Sequence, residues 1–104
     1  MEIRFNDKKL QKLLEDQREL KKAHGKVQAL LIVQRINELL SAEHLYDISK
    51  LPQARLHLLT GDRKGHFAID LKHPRRMILF PEDGDKTNLR TITCVRIIEI
   101  VDYH

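Results

Sequence analysis

The chain has 104 residues, of which 41% are apolar and 33% charged, with four Gly, three Pro and one Cys. That length allows one domain and excludes a pair of catalytic domains, and the composition is that of a folded chain rather than a disordered one. The net charge of +4, from 19 Lys and Arg against 15 Asp and Glu, admits a polyanionic partner without requiring one.

Ile3 and Phe5 alternate with Glu2 and Arg4, which predicts a short first strand, and Asn6-Asp7 can cap a helix behind it. Leu10, Leu13, Leu14, Gln17 and Leu20 recur at three- and four-residue steps, so one helix is expected up to a stop at Gly25. A second helix is expected from Lys26 to Ser41. Its inner side is expected to carry Val27, Leu30, Leu31, Ile36, Leu39 and Leu40, with Gln28, Gln34, Arg35 and Glu38 mostly exposed. The two helices form an αα-hairpin. After a helical turn at 45–48, helix periodicity ends near Pro52. Runs with two-residue alternation follow at 54–59, 66–71, 75–80 and 91–101, separated by turn chemistry at 61–65, 73–74 and 81–85. The stretch 81–91 reads as an enlarged, mobile hairpin loop. This order predicts an α+β domain, with the first strand and the αα-hairpin packed on one face of a mostly antiparallel sheet of four to five strands.

Cys94 has no second cysteine to pair with, and its apolar neighbours make it a small core residue. No apolar run approaches the ~18–20 residues that cross a bilayer, and residues 1–5 lack the apolar segment of a signal peptide. A reducing, cytoplasmic setting with no membrane attachment is expected. His44, His66 and His73 lack the spacing of a metal set, so no metal and no cofactor are expected. His24, just before Gly25, reads as a stabiliser of a helix C-terminus.

The positive charge is concentrated. Between Lys50 and Arg76 lie Lys50, Arg55, Arg63, Lys64, Lys72, Arg75 and Arg76 against only Asp62 and Asp70, a local excess of five. His57, His66 and His73 fall in the same stretch. Such a segment is either the polar side of a half-exposed sheet or a phosphate-binding surface, and the concentration favours the second. Alternation puts Arg55 and His57 on one face of their strand, opposite Ala54, Leu56 and Leu58. In the last strand Ile98, Ile100, Asp102 and His104 share a face, with Val101 and Tyr103 on the other.

The pieces Leu56-His57-Leu58-Leu59-Thr60-Gly61-Asp62-Arg63-Lys64-Gly65, Phe67-Ala68-Ile69, Arg75-Arg76-Met77-Ile78-Leu79-Phe80 and the final Val101-Asp102-Tyr103-His104 together resemble the HigB branch of the RelE superfamily. These are toxins of bacterial type II toxin–antitoxin modules, and the order of elements before residue 50 is similar as well. The resemblance implies a RelE-like fold and a metal-free ribonuclease that cuts messenger RNA in the ribosomal A site. It also implies silencing by a helix-turn-helix, HigA-like antitoxin, through which operator DNA would be bound indirectly. By the same resemblance His57, Asp102, Tyr103 and His104 are the catalytic set, and Arg76 matches a family arginine. Thr60 and Arg75 stand where close relatives often carry lysine and tryptophan.

Cleavage without a metal needs a base for the 2′-OH, cations for the phosphate and an acid for the leaving 5′-oxygen. His57 and His104 are the natural acid–base pair, because a free imidazole titrates at ~6.5. The α-carboxylate of His104 favours its protonated ring and hence the acid role. Asp102 either orients an imidazole or takes the proton itself. Arg63, Lys64 and Arg76 supply the phosphate clamp, with Arg55 and Arg75 of the same basic stretch. Tyr103 either contacts a base or phosphate or packs on the sheet. Two other readings exist: a member of this fold that binds RNA or antitoxin without cutting, and a DNA-binding repressor. The strand-like alternation of residues 54–101 argues against the repressor, which should be mostly helical.

Overall fold

The computed structural model describes residues 1–103, and within these described residues the chain forms four helices and five strands. In chain order they are β1 (Glu2–Phe5), α1 (Lys8–Glu15), α2 (Gln17–His24), α3 (Lys26–Ser41), α4 (Leu45–Ser49), β2 (His57–Leu58), β3 (Phe67–Asp70), β4 (Arg75–Pro81) and β5 (Cys94–Asp102). The sheet order is β1-β5-β4-β3-β2, with β1 parallel to β5 and every other pair antiparallel. Leu14, Leu20, Ile32, Leu39, Leu45 and Ile48 from the helices share one apolar core with Phe67, Ile69, Met77, Leu79, Val95 and Ile97. The helices therefore cover one face of a mixed five-stranded sheet, an α+β architecture. The other, open face carries none of the four helices, although its central Ala68 and Ile78 are buried beneath neighbouring side chains and turns. None of the described helices is long and apolar enough to cross a membrane.

The helix expected up to Gly25 is two helices. Asp16 has extended backbone angles, and its carboxylate accepts the N–H groups of Arg18 at 2.9 Å and Glu19 at 3.3 Å. A side chain that satisfies the free donors of the next turn competes with the helical backbone at its own position, so the chain stops and restarts there. The leucine stripe continues across the break and hides it.

α3 has the expected ends, and of its expected inner side Leu39 is buried and Leu31 and Ile36 pack against the core, but the rest differs. Gln28, Ala29, Ile32, Arg35 and Leu39 are buried, whereas Val27, Leu30 and Leu40 are exposed. The two buried polar residues turn inward because strand ends need partners. The Gln28 amide donates to Lys72 O at 3.1 Å and accepts from Lys72 N at 2.9 Å, a two-bond clamp on the β3–β4 turn. Arg35, only 4% exposed, donates Nε to Asp70 O at 2.8 Å, Nη2 to Gln53 O at 3.1 Å and Nη1 to Glu38 at 3.1 Å. Hydrogen bonds thus share with apolar burial the choice of which stripe faces the sheet.

Two irregularities set the phase of the strands. Arg55 adopts φ +44°, a left-handed conformation uncommon for a side-chain-bearing residue, and this cuts the run 54–59 down to two paired residues. In β5, Ile78 pairs with Glu99 but Leu79 pairs with Ile97, so Ile98 is a bulge. The extra residue keeps Ile97 in the core while turning Glu99 to the open face.

The loop between β4 and β5, whose residues 81–91 read as mobile in the sequence, is cross-linked by side chains of residues 83–93. Asp83 accepts from Thr93 N at 2.9 Å and Cys94 N at 3.0 Å, and the Thr93 hydroxyl donates to it as well. Thr91 Oγ1 accepts from Asp85 N at 2.7 Å. Gly84, at φ +73°, lies so close to the Thr91 backbone that an added Cβ would fall 2.2 Å from Thr91 O. Gly84→Ala is expected to lower stability by about 2–4 kcal/mol, combining left-handed strain with a backbone clash. A denaturant-unfolding midpoint within experimental scatter of the wild type would contradict this.

Candidate functional site

The open face is built from alternate residues of each strand. The register runs His57, Ala68, Ile78, Glu99 in one row and Asp70, Arg76, Val101 in the next. Asp70 organises one corner of this face. Its carboxylate takes Arg55 as a fork, Nε at 2.7 Å and Nη2 at 3.2 Å, and holds Arg76 Nε at 3.5 Å. The Arg76 guanidinium lies over the Tyr103 ring, 4.6 Å from its centroid, and Tyr103 N donates to Pro74 O at 2.8 Å. Planar guanidinium and aromatic surfaces stack in this way, which fixes both side chains. One row away, Arg63 reaches across Ile78 to Glu99 at 3.2 Å.

His57 sits beside this corner with Nδ1 2.8 Å from Arg55 O. A carbonyl only accepts, so Nδ1 carries the hydrogen, and in the neutral ring Nε2 is left with a free lone pair. The left-handed turn at Arg55 thus has two consequences: its carbonyl fixes the His57 tautomer and its side chain joins Asp70. A cavity of about 180 Å³ beside them is lined by Arg55, Asp70, His73, Arg75 and Arg76 among others. Lys64 is exposed on the turn before β3.

The expected catalytic set is divided between two faces. Arg75 and Asp102 pair directly across β4 and β5, Nε to Oδ1 at 3.0 Å, on the side of the sheet that the helices occupy. Arg75 Nη1 also lies 2.8 Å from His24 Nδ1 at the end of α2. Asp102 therefore faces Arg75 and His24, not His57. His104, the remaining member, lies outside the described residues. His24 was expected only to stabilise a helix end, and nothing in its local sequence signals that sheet register would bring Arg75 to it.

Because a guanidinium can only donate, His24 Nδ1 must accept, and the ring is neutral. Its pKa is lowered from 6.5, first by burial and then by Arg75, with Asp102 opposing. The unfolded chain binds this proton more readily than the folded one. Stability from neutral His24 is therefore complete above the ordinary histidine range and declines as pH falls below about 6.5. His24→Gln is expected to flatten the fall in urea midpoint between pH 7.5 and pH 5.5. An unchanged fall would contradict this.

Charge in the site is largely self-compensated. Asp70, Glu99 and Asp102 between them hold Arg55, Arg76, Arg63 and Arg75. Of these carboxylates, Glu99 and Asp102 lie outside the basic stretch 50–76 and meet it only through sheet register. Elsewhere, the burial of Cys94 and its hydrogen bond to Glu2 at 3.0 Å push its thiol up to about 11, so it stays protonated. A cavity of about 650 Å³ lies along α3 and α4 and is lined by Leu30, Val33, Asn37, Ile48 and Leu51 among others. Its full lining includes no Lys, Arg or His. Among the described residues no group of three or more His, Cys, Asp or Glu side chains comes together as a metal site. No family model and no curated protein matches the chain.

Proposed function

We propose that this chain is the toxin of a bacterial type II toxin–antitoxin module, a RelE-like, HigB-branch endoribonuclease that cuts messenger RNA in the ribosomal A site. The observation that carries the reading is the grouping of His57, Arg55, Arg76 and Tyr103 at one corner of the sheet face opposite the helices. These are the residue types that metal-free RNA cleavage requires, and His57, Arg76 and Tyr103 are positions on which the family resemblance rests. His57 Nε2 takes the 2′-OH proton. Arg76 and Arg55 exchange their hold on Asp70 for the scissile phosphate, where a charge-assisted fork stabilises the added negative charge. Tyr103, stacked on Arg76, offers its outer side to a base. Asp102 contributes by holding the end of β5 through Arg75, and His104 is the candidate acid for the leaving oxygen. A helix-turn-helix antitoxin is the expected partner, the cytoplasm the expected location.

One observation favours a second reading, a binding member of the same fold that does not cut. Each arginine of the proposed clamp already has a carboxylate partner, and Thr60 offers no additional cation. Induction of the wild type and of a His57→Ala variant in bacteria separates the two. Growth arrest with new messenger ends only in the wild type supports the nuclease, and identical RNA profiles with retained RNA binding support the second reading.

A further inference from the structure

β4 carries a second aromatic on the open face. Phe80 lies four residues beyond Arg76, about 13 Å along the strand at ~3.3 Å per residue. Phe80 remains 38% exposed. Its ring meets that of His66 at 4.9 Å between centroids with a 57° tilt. His66 Nδ1 is buried with no hydrogen-bond partner, so packing against its surroundings holds the imidazole there.

Cations flank the pair. Lys86 Nζ lies 3.7 Å from the position a Gly65 Cβ would take, one residue from His66, and Lys64 is exposed on the same turn. Among the described residues neither lysine is part of an ion pair. Arg96, the register partner of Phe80 on β5, is held by the Glu82 carboxylate and by Phe5 O at 2.9 Å, so among the described residues the two lysines are the cations that remain unpaired beside the rings.

Phe80 is isolated in apolar terms. Leu58, the other exposed large apolar side chain of the sheet, pairs with core-facing Phe67 and so belongs to the opposite face. A protein partner would be met by contiguous apolar area. A lone π-surface among unpaired lysines suits a planar ligand on an anionic backbone.

We propose that Phe80 and His66 form a second base-stacking site for single-stranded RNA, a few nucleotides along the strand from the base at Tyr103. The proposal rests on the reading of the open face as an RNA surface. It makes the ligand a segment several nucleotides long, held at both ends of β4 with the Arg63–Glu99 pair, which lies over buried Ile78, between.

The test is fluorescence anisotropy with 2′-O-methyl oligonucleotides of two to six nucleotides, which bind but offer no 2′-OH for cleavage. Phe80→Leu keeps the apolar contact and removes the π-face. It is expected to weaken hexamer binding at least about fivefold, from the usual worth of one stacked base, and to leave dinucleotide binding unchanged. Phe80→Trp should bind the hexamer as tightly as wild type or tighter. Hexamer binding by Phe80→Leu equal to wild type overturns the second site and leaves the Tyr103 corner standing. Failure of the wild type to bind any oligonucleotide overturns the RNA reading of the face itself.

Discussion

Arg35→Ala is expected to remove about 3–5 kcal/mol of stability, because it takes away a buried guanidinium and the hydrogen bonds it donates to three partners. Those partners are Asp70 O, Gln53 O and the Glu38 carboxylate. For a domain whose total stability is ~5–15 kcal/mol, the loss is a large fraction of the whole. Arg35→Lys should recover little, since a compact ammonium cannot reproduce a fork that addresses three acceptors in different directions. Two of those acceptors flank the candidate site: Asp70 carries Arg55 and Arg76, and Gln53 precedes the left-handed turn. The variant should therefore loosen the site as well as the core. Urea unfolding of wild type, Arg35→Ala and Arg35→Lys checks this. A loss below ~1 kcal/mol for the alanine variant would show that water replaces the guanidinium at little cost.

The second large effect concerns His57. Its Nδ1 is committed to Arg55 O at 2.8 Å, which leaves Nε2 as the proton acceptor. His57→Ala is expected to lower the cleavage rate by about 10²–10⁴-fold, the usual share of one general base, without a change in folding. His57→Gln should not restore the rate, because an amide has no group that gains and loses a proton near neutral pH. A wild-type rate in His57→Ala would remove the acid–base account of this corner.

Much of the fold was legible, and the reason is periodicity. The runs that became β3, β4 and β5 are short apolar stretches bounded by turn residues, with core-facing Phe67, Ile69, Met77, Leu79, Val95 and Ile97 at every second position, and α3 keeps the limits Lys26–Ser41 predicted for it. The failures share a cause: polar side chains bonded to the backbone. Asp16 divides a helix whose leucine stripe is continuous, and Gln28 and Arg35 take inward positions on α3 while Val27, Leu30 and Leu40 face out. Neither effect leaves a trace in hydrophobic pattern.

The site was legible as a list of residues and not as an arrangement. Alternation alone separates Asp102 from Tyr103. It does not say which of them shares a face with His57, because the left-handed Arg55 and the bulge at Ile98 each shift the phase of a strand. The pairing of Asp70 with both Arg55 and Arg76 depends on β3 and β4 lying in register. His24 meets Arg75 across 51 residues of chain, a contact that no local motif encodes.

The most direct test of the central claim is cleavage of a 5′-labelled messenger on programmed ribosomes with a vacant A site, by purified wild-type protein and by His57→Ala. The predicted result is a cut within the A-site codon by the wild type, absent when ribosomes are omitted and reduced at least about 100-fold in the variant. No cut by the wild type, or equal cutting by the variant, would contradict it.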